Sequence, residues 1–134
     1  MWPFRRTRPH NDPPPVTLDG ITATYQRTRS GSWWMWTLRG TLCYLERESL
    51  PDDWLDASRR ALDTIADLGP EIRIVILRHV EGWGPPDAAV LSVWLRPELA
   101  PDGFEVVAES EAWGDVGVSI EVANGHINGH WSGD

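Results

Sequence analysis

The chain has 134 residues, a formal net charge of −8, 41% hydrophobic residues and 24% charged residues. That balance describes one domain with one core and argues against wholesale disorder. No apolar run approaches the roughly 18–20 residues needed to span a bilayer, and an acidic chain repels nucleic acid and anionic lipid while favouring basic partners, so neither nucleic-acid binding nor stable membrane insertion is expected.

The charge is unevenly placed. Residues 101–134 hold seven carboxylates and no arginine, whereas residues 1–15 carry Arg5, Arg6 and Arg8 against Asp12 alone. Five prolines and no periodicity make residues 1–15 a flexible basic arm, leaving 16–134 as a single domain. The N-terminus lacks the apolar stretch of a secretory signal, and the chain has one cysteine, Cys43. Both point to a cytoplasmic protein, with Cys43 a buried, inert thiol rather than a nucleophile. Nine tryptophans are too many to lie wholly inside so small a core. Some should be part-exposed, where indoles serve as interface anchors.

In chain order, Ile21 to Thr28 reads as a first strand, and the turn Arg29-Ser30-Gly31-Ser32 leads into a long strand from Trp33 to Glu46. Parity puts Trp34, Trp36, Leu38, Leu42 and Tyr44 on its core side, and Gly40 marks a bulge. From Asp52 to Leu68, Trp54, Leu55, Ser58, Ala61, Leu62, Ile65 and Leu68 recur at helical spacing, opposite a charged face. Ser49 to Asp52 supply a cap and acids for the helix dipole, and Gly69-Pro70 ends the helix. Ile72 to Val80 is apolar at both parities and reads as a central strand covered on both sides. Val90 to Arg96 and Phe104 to Glu109 follow as strands, the latter with Glu105 and Glu109 pointing outward.

Asn124-Gly125 is the preferred two-residue hairpin turn, since both positions require positive φ. An uninterrupted register from that turn places Val118, Ile120, Val122, Ile127 and Trp131 on one face. Ser119, Glu121, His126, Asn128 and His130 share the other. On a strand, four residues separate His126 from His130 by roughly 13 Å, too far to share one metal ion directly. The predicted fold is α+β, a mostly antiparallel sheet of six to seven strands with one amphipathic helix on one face.

No phosphate-cradling loop, nucleophile elbow or cysteine pair is present, so no catalytic residue, cofactor or metal site is assigned and nothing points positively to an enzyme. The strands, the single helix and a closing meander with Glu111-Ala-Trp113-Gly114-Asp115-Val-Gly117-Val-Ser-Ile120 and Asn124-Gly125-x-Ile127 resemble small acidic bacterial domain families. Some members of such families are encoded beside toxins and serve as immunity proteins. The resemblance covers the helix and about the last 30 residues, and it implies a stoichiometric inhibitor of a toxin without supplying site residues.

Three function classes stay open at this point. The first is a non-enzymatic protein-binding domain that meets a basic partner, such as a toxin, through Glu105, Glu109, Glu111, Trp113, Asp115, Glu121, His126 and His130. The second is a small-ligand-binding or enzymatic domain with a Trp-lined cleft. The third is a structural protein that completes its sheet as a homodimer.

Overall fold

Three two-residue turns of one geometry organise much of the chain. Asp19-Gly20, Arg39-Gly40 and Asn124-Gly125 all hold positive φ at both positions, at 50° and 77°, 52° and 75°, and 54° and 76°. Such turns match the natural twist of the strands they join. The computed structural model describes residues 12–133, so residues 1–11 of the expected arm lie outside the described region. Within its last residues, Asp12 accepts a hydrogen bond from Arg27 Nε at 2.9 Å.

The first half is a meander of β1 (Val16–Leu18), β2 (Ile21–Thr28), β3 (Gly31–Leu38) and β4 (Thr41–Leu45). The long strand expected over 33–46 is therefore two strands, and Gly40 is a turn residue rather than a bulge. The turn inverts the parity beyond it. Cys43 and Leu45 join Trp34, Trp36 and Leu38 in the core, while Leu42 is 41% exposed and Tyr44 is half-buried on the opposite face.

Helix α1 (Trp54–Asp67) buries Trp54, Leu55, Ser58 and Ala61, as its spacing predicts. No side chain caps its start, where Asp53 is the capping residue. The chain then turns at Leu68, which is 8% exposed, directly into α2 (Gly69–Val80). Here the expected strand over 72–80 is overturned. Ile72, Val75, Ile76 and Val80 are buried at helical spacing, while Ile74 and Leu77 stay 48% and 41% exposed. Pro70 sits in the first turn of this second helix, where its missing N–H costs nothing.

The second half is another meander: β5 (Val90–Leu95), β6 (Phe104–Glu109), β7 (Gly117–Ala123) and β8 (His126–Gly133). All eight strands form one sheet in sequence order, antiparallel except where β4 lies parallel to β5. The class is α+β as expected, with eight strands rather than six or seven and two helices rather than one. The parallel seam is what requires the helices, since a parallel neighbour can be reached only by a crossover.

Both helices lie on one face of the sheet, α1 over β5 and α2 over β7 and β8. Between them and the sheet lie Cys43, Val93, Val106, Ala108, Val118, Ile120 and Val122, all at 0% exposure. Trp36 and Trp54 meet edge to face at 5.0 Å between ring centroids, a contact worth about 0.5–1.5 kcal/mol beyond burial. Buried Ser58 accepts from Trp36 Nε1 at 3.2 Å and donates to the Leu55 carbonyl, leaving neither polar group orphaned. Burial pushes the Cys43 thiol up to about 12, so it carries no thiolate near neutrality. Among the described residues, no helix is long and apolar enough to cross a membrane.

Candidate functional site

With both helices on one face, the other face of the sheet is left bare. The strand register decides what it presents. One row across the sheet runs Thr24, Met35, Tyr44, Trp94, Glu105, Glu121 and Gly129; the next runs Thr37, Leu42, Ser92, Val107, Ser119 and Trp131. One half of this face is aromatic and the other is acidic. Tyr44 and Trp94 stack across the parallel seam at 4.3 Å and 13° between ring planes. Trp33 packs its edge against Trp94 at 6.0 Å.

Beside that stack, Glu105 and Glu121 stand directly opposite each other on adjacent strands. Like charges in this arrangement repel. The Arg96 guanidinium lies over the Trp94 ring and reaches Glu105 and Glu46 at 3.7 and 3.8 Å, distances too long for tight ion pairing. The Glu105 carboxyl is consequently raised above its ordinary range, first by burial and further by Glu121, with Arg96 opposing. Burial, and then the charge of Glu109, raises the Tyr44 phenol, so the acidic field extends to the aromatic half.

The acids of the helical side contrast with these. Arg39 pairs with Asp63, Arg59 with Asp19 and Asp56, and Arg60 with Asp53 and Asp102. Among the described residues, Glu109, Glu111, Asp115 and Glu121 form no ion pair. Among the described residues, the acids of the bare face and its rim are therefore less compensated than those of the helical side, with Arg96 the cation beside Glu105.

The eight residues singled out from sequence separate into three groups. Glu105, Glu109 and Glu121 share the bare face, and Glu111 joins Glu109 around a shallow depression that also includes Val90, which is 71% exposed. Asp115 is exposed on the loop before β7, and exposed His126 begins β8 opposite Ala123. Trp113 belongs elsewhere. It is 5% exposed, donates to the Pro85 carbonyl at 3.1 Å and packs against Trp83, which makes it an internal strut.

His130 is also displaced from its expected face. The hairpin register holds at Ala123↔His126 and Val122↔Ile127, then shifts so that Glu121 opposes Gly129. Asn128 is the extra residue of a β-bulge, and every side chain beyond it changes face. Trp131, 46% exposed, thus turns onto the bare face beside Ser119, while His130 turns toward α2.

Sequence reasoning missed Tyr44, Trp94, Leu42 and Val107 as surface-face residues. The alternation of Val90 to Leu95 carried the signal for Trp94; Tyr44 and Leu42 were hidden by the Arg39-Gly40 turn. A pocket of about 80 Å³ lies between the ends of β4 and β5 and the start of α1, lined by residues including Leu45, Trp54 and Leu95. That is below the roughly 300–1,000 Å³ of drug-sized ligand sites, and the wider depressions of about 570, 320 and 310 Å³ are open to solvent rather than enclosed. Among the described residues, no cluster of three or more His, Cys, Asp or Glu could hold a metal ion. Comparison with protein-family models, curated proteins and solved structures found no match.

Proposed function

We propose that this protein is a non-enzymatic binding domain whose bare sheet face receives a cationic protein, in the manner of an immunity protein that neutralises a basic toxin. The observation that carries the reading is the opposed Glu105–Glu121 pair beside the Tyr44–Trp94 stack. Two carboxylates facing each other next to a half-buried aromatic stack repel and lower stability. An arginine or lysine from a partner relieves their repulsion beside an aromatic stack that already holds Arg96 over Trp94. Trp131, Leu42 and Val107 extend the apolar contact area, and Glu109 and Glu111 supply a charged rim. Interfaces of this composition gain energy from aromatic anchors and association rate from charge.

The proposal is tested by isolating the tagged full-length chain at low salt from cells that express its genomic neighbours. Wild type should retain a basic protein that is released as salt is raised. Trp94→Ala and the double charge reversal Glu105→Arg/Glu121→Arg should each abolish retention, while the helix-side Asp63→Arg should not. Retention of no basic partner, or retention indifferent to the double reversal, overturns the reading.

A further inference from the structure

A second convergence of side chains lies on the other side of the sheet, away from the proposed docking face. The Asn128 bulge turns His130 toward α2, where His79 Nε2 and His130 Nδ1 approach to 2.8 Å with their rings at 80°. Bulges commonly re-aim a side chain in this way beside functional sites. We propose that His79 and His130 together bind one divalent late transition ion of the copper(II) or nickel(II) type, linking helix α2 to the edge strand β8.

The nitrogen separation decides the class of ion. An ion about 2.1 Å from each of two nitrogens 2.8 Å apart subtends roughly 84° between them. That is close to the right angle between neighbouring positions in square-planar or octahedral coordination, which copper(II) and nickel(II) adopt. Tetrahedral zinc would require the nitrogens about 3.4 Å apart. The two rings stand at 80° with their centroids 4.9 Å apart.

Proton positions are compatible with binding. Without metal, one ring nitrogen of the facing pair donates its proton to the other. With metal, both facing nitrogens present lone pairs, and the rings carry their protons on His79 Nδ1 and His130 Nε2. Two neutral imidazoles thus exchange a tautomer through solvent and release no net proton.

The remaining coordination positions open to solvent. His130 is exposed, and a surface groove at the pair is lined by Glu71, Ile74, Val75, Ile127, Asn128 and Gly129. Its charged groups are Glu71 within the groove and Arg78 beside His79 on α2. Because no third His, Cys, Asp or Glu completes a cluster among the described residues, the ion takes two protein ligands and completes its shell with water.

The test is a nickel(II) titration of the full-length chain, followed by the imidazole carbon-bound proton resonances of its four histidines. Paramagnetic broadening should reach His79 and His130 before His10 and His126. Exposed His130 allows a mild variant, His130→Gln, which should weaken nickel binding by at least the roughly 10- to 100-fold lost with even an outer-shell partner. His126→Gln should bind as wild type does. Earlier broadening of His10 or His126, or unchanged affinity in His130→Gln, overturns the proposal and leaves the pair a hydrogen bond only.

Discussion

Glu105 carries the main energetic tension at the residue scale. Its carboxyl is largely buried and faces Glu121, and among the described residues the cation beside it, Arg96, sits at 3.7 Å. Its pKa is therefore higher in the folded chain than in the unfolded one. For a raised carboxyl, the folded state binds more protons between the two pKa values, so stability falls as pH rises through the folded pKa. The contribution is intact below the unfolded carboxylate range and is lost as pH rises through the higher folded value. Glu105→Gln removes the repulsion while keeping the shape, and it should stabilise the chain near neutrality by about 0.2–1 kcal/mol. The gain should vanish once both carboxyls are protonated. Urea unfolding of wild type and variant near pH 7 and near pH 3 checks this. An equal gain at both pH values would mean that packing rather than charge is responsible. The same substitution should weaken the proposed partner, a conflict between stability and function that marks a binding surface.

At the scale of elements, the Arg39-Gly40 turn between β3 and β4 departs from the residues its geometry prefers. Asp19-Gly20 and Asn124-Gly125 place residues tolerant of the left-handed region at their first positions, but the same conformation at 52° is held by Arg39. Arg39→Asn should raise stability by several tenths of a kcal/mol up to about 1 kcal/mol. Arg39 also meets Asp63 at 2.9 Å in an exposed ion pair, so the comparison belongs in an Asp63→Asn background, where that small term is absent. Equilibrium denaturation of the four chains gives the result, and a loss of stability in that background would show that the turn does not strain Arg39. This departure also explains what could be read from sequence. Strands β2 and β6, helix α1 and the Asn124-Gly125 turn follow period and turn chemistry and were legible. The β3–β4 turn was not, because arginine is no turn signal, and the missed turn reversed the faces of Leu42, Cys43 and Tyr44. Helix α2 was misread because exposed Ile74 and Leu77 fill the positions that distinguish period 3.6 from an all-apolar strand. The Asn128 bulge leaves no compositional mark, so His130 and Trp131 were placed on each other's faces.

For the whole molecule, the decisive feature is the seam. Two four-stranded meanders touch edge to edge only through the parallel pair β4–β5, with the helices bridging them from one side. The proposed docking face spans this seam: Tyr44 and Trp33 come from the first meander, Trp94, Glu105 and Glu121 from the second. Neither meander alone assembles it. The core behind the seam is continuous, with Cys43 and Val93 paired across it at 0% exposure, which argues for one cooperative unit rather than two. Val93→Ala removes two methyl groups at that point and should cost about 2–3 kcal/mol through lost burial and a residual cavity. If the halves are one unit, circular dichroism and tryptophan fluorescence should report a single coincident transition, displaced as a whole to lower denaturant. A variant in which fluorescence changes first, while the strand signal persists, would show that the seam opens as a local event. The bare face would then form and dissolve independently of the fold, and the aromatic stack would be the first structure lost.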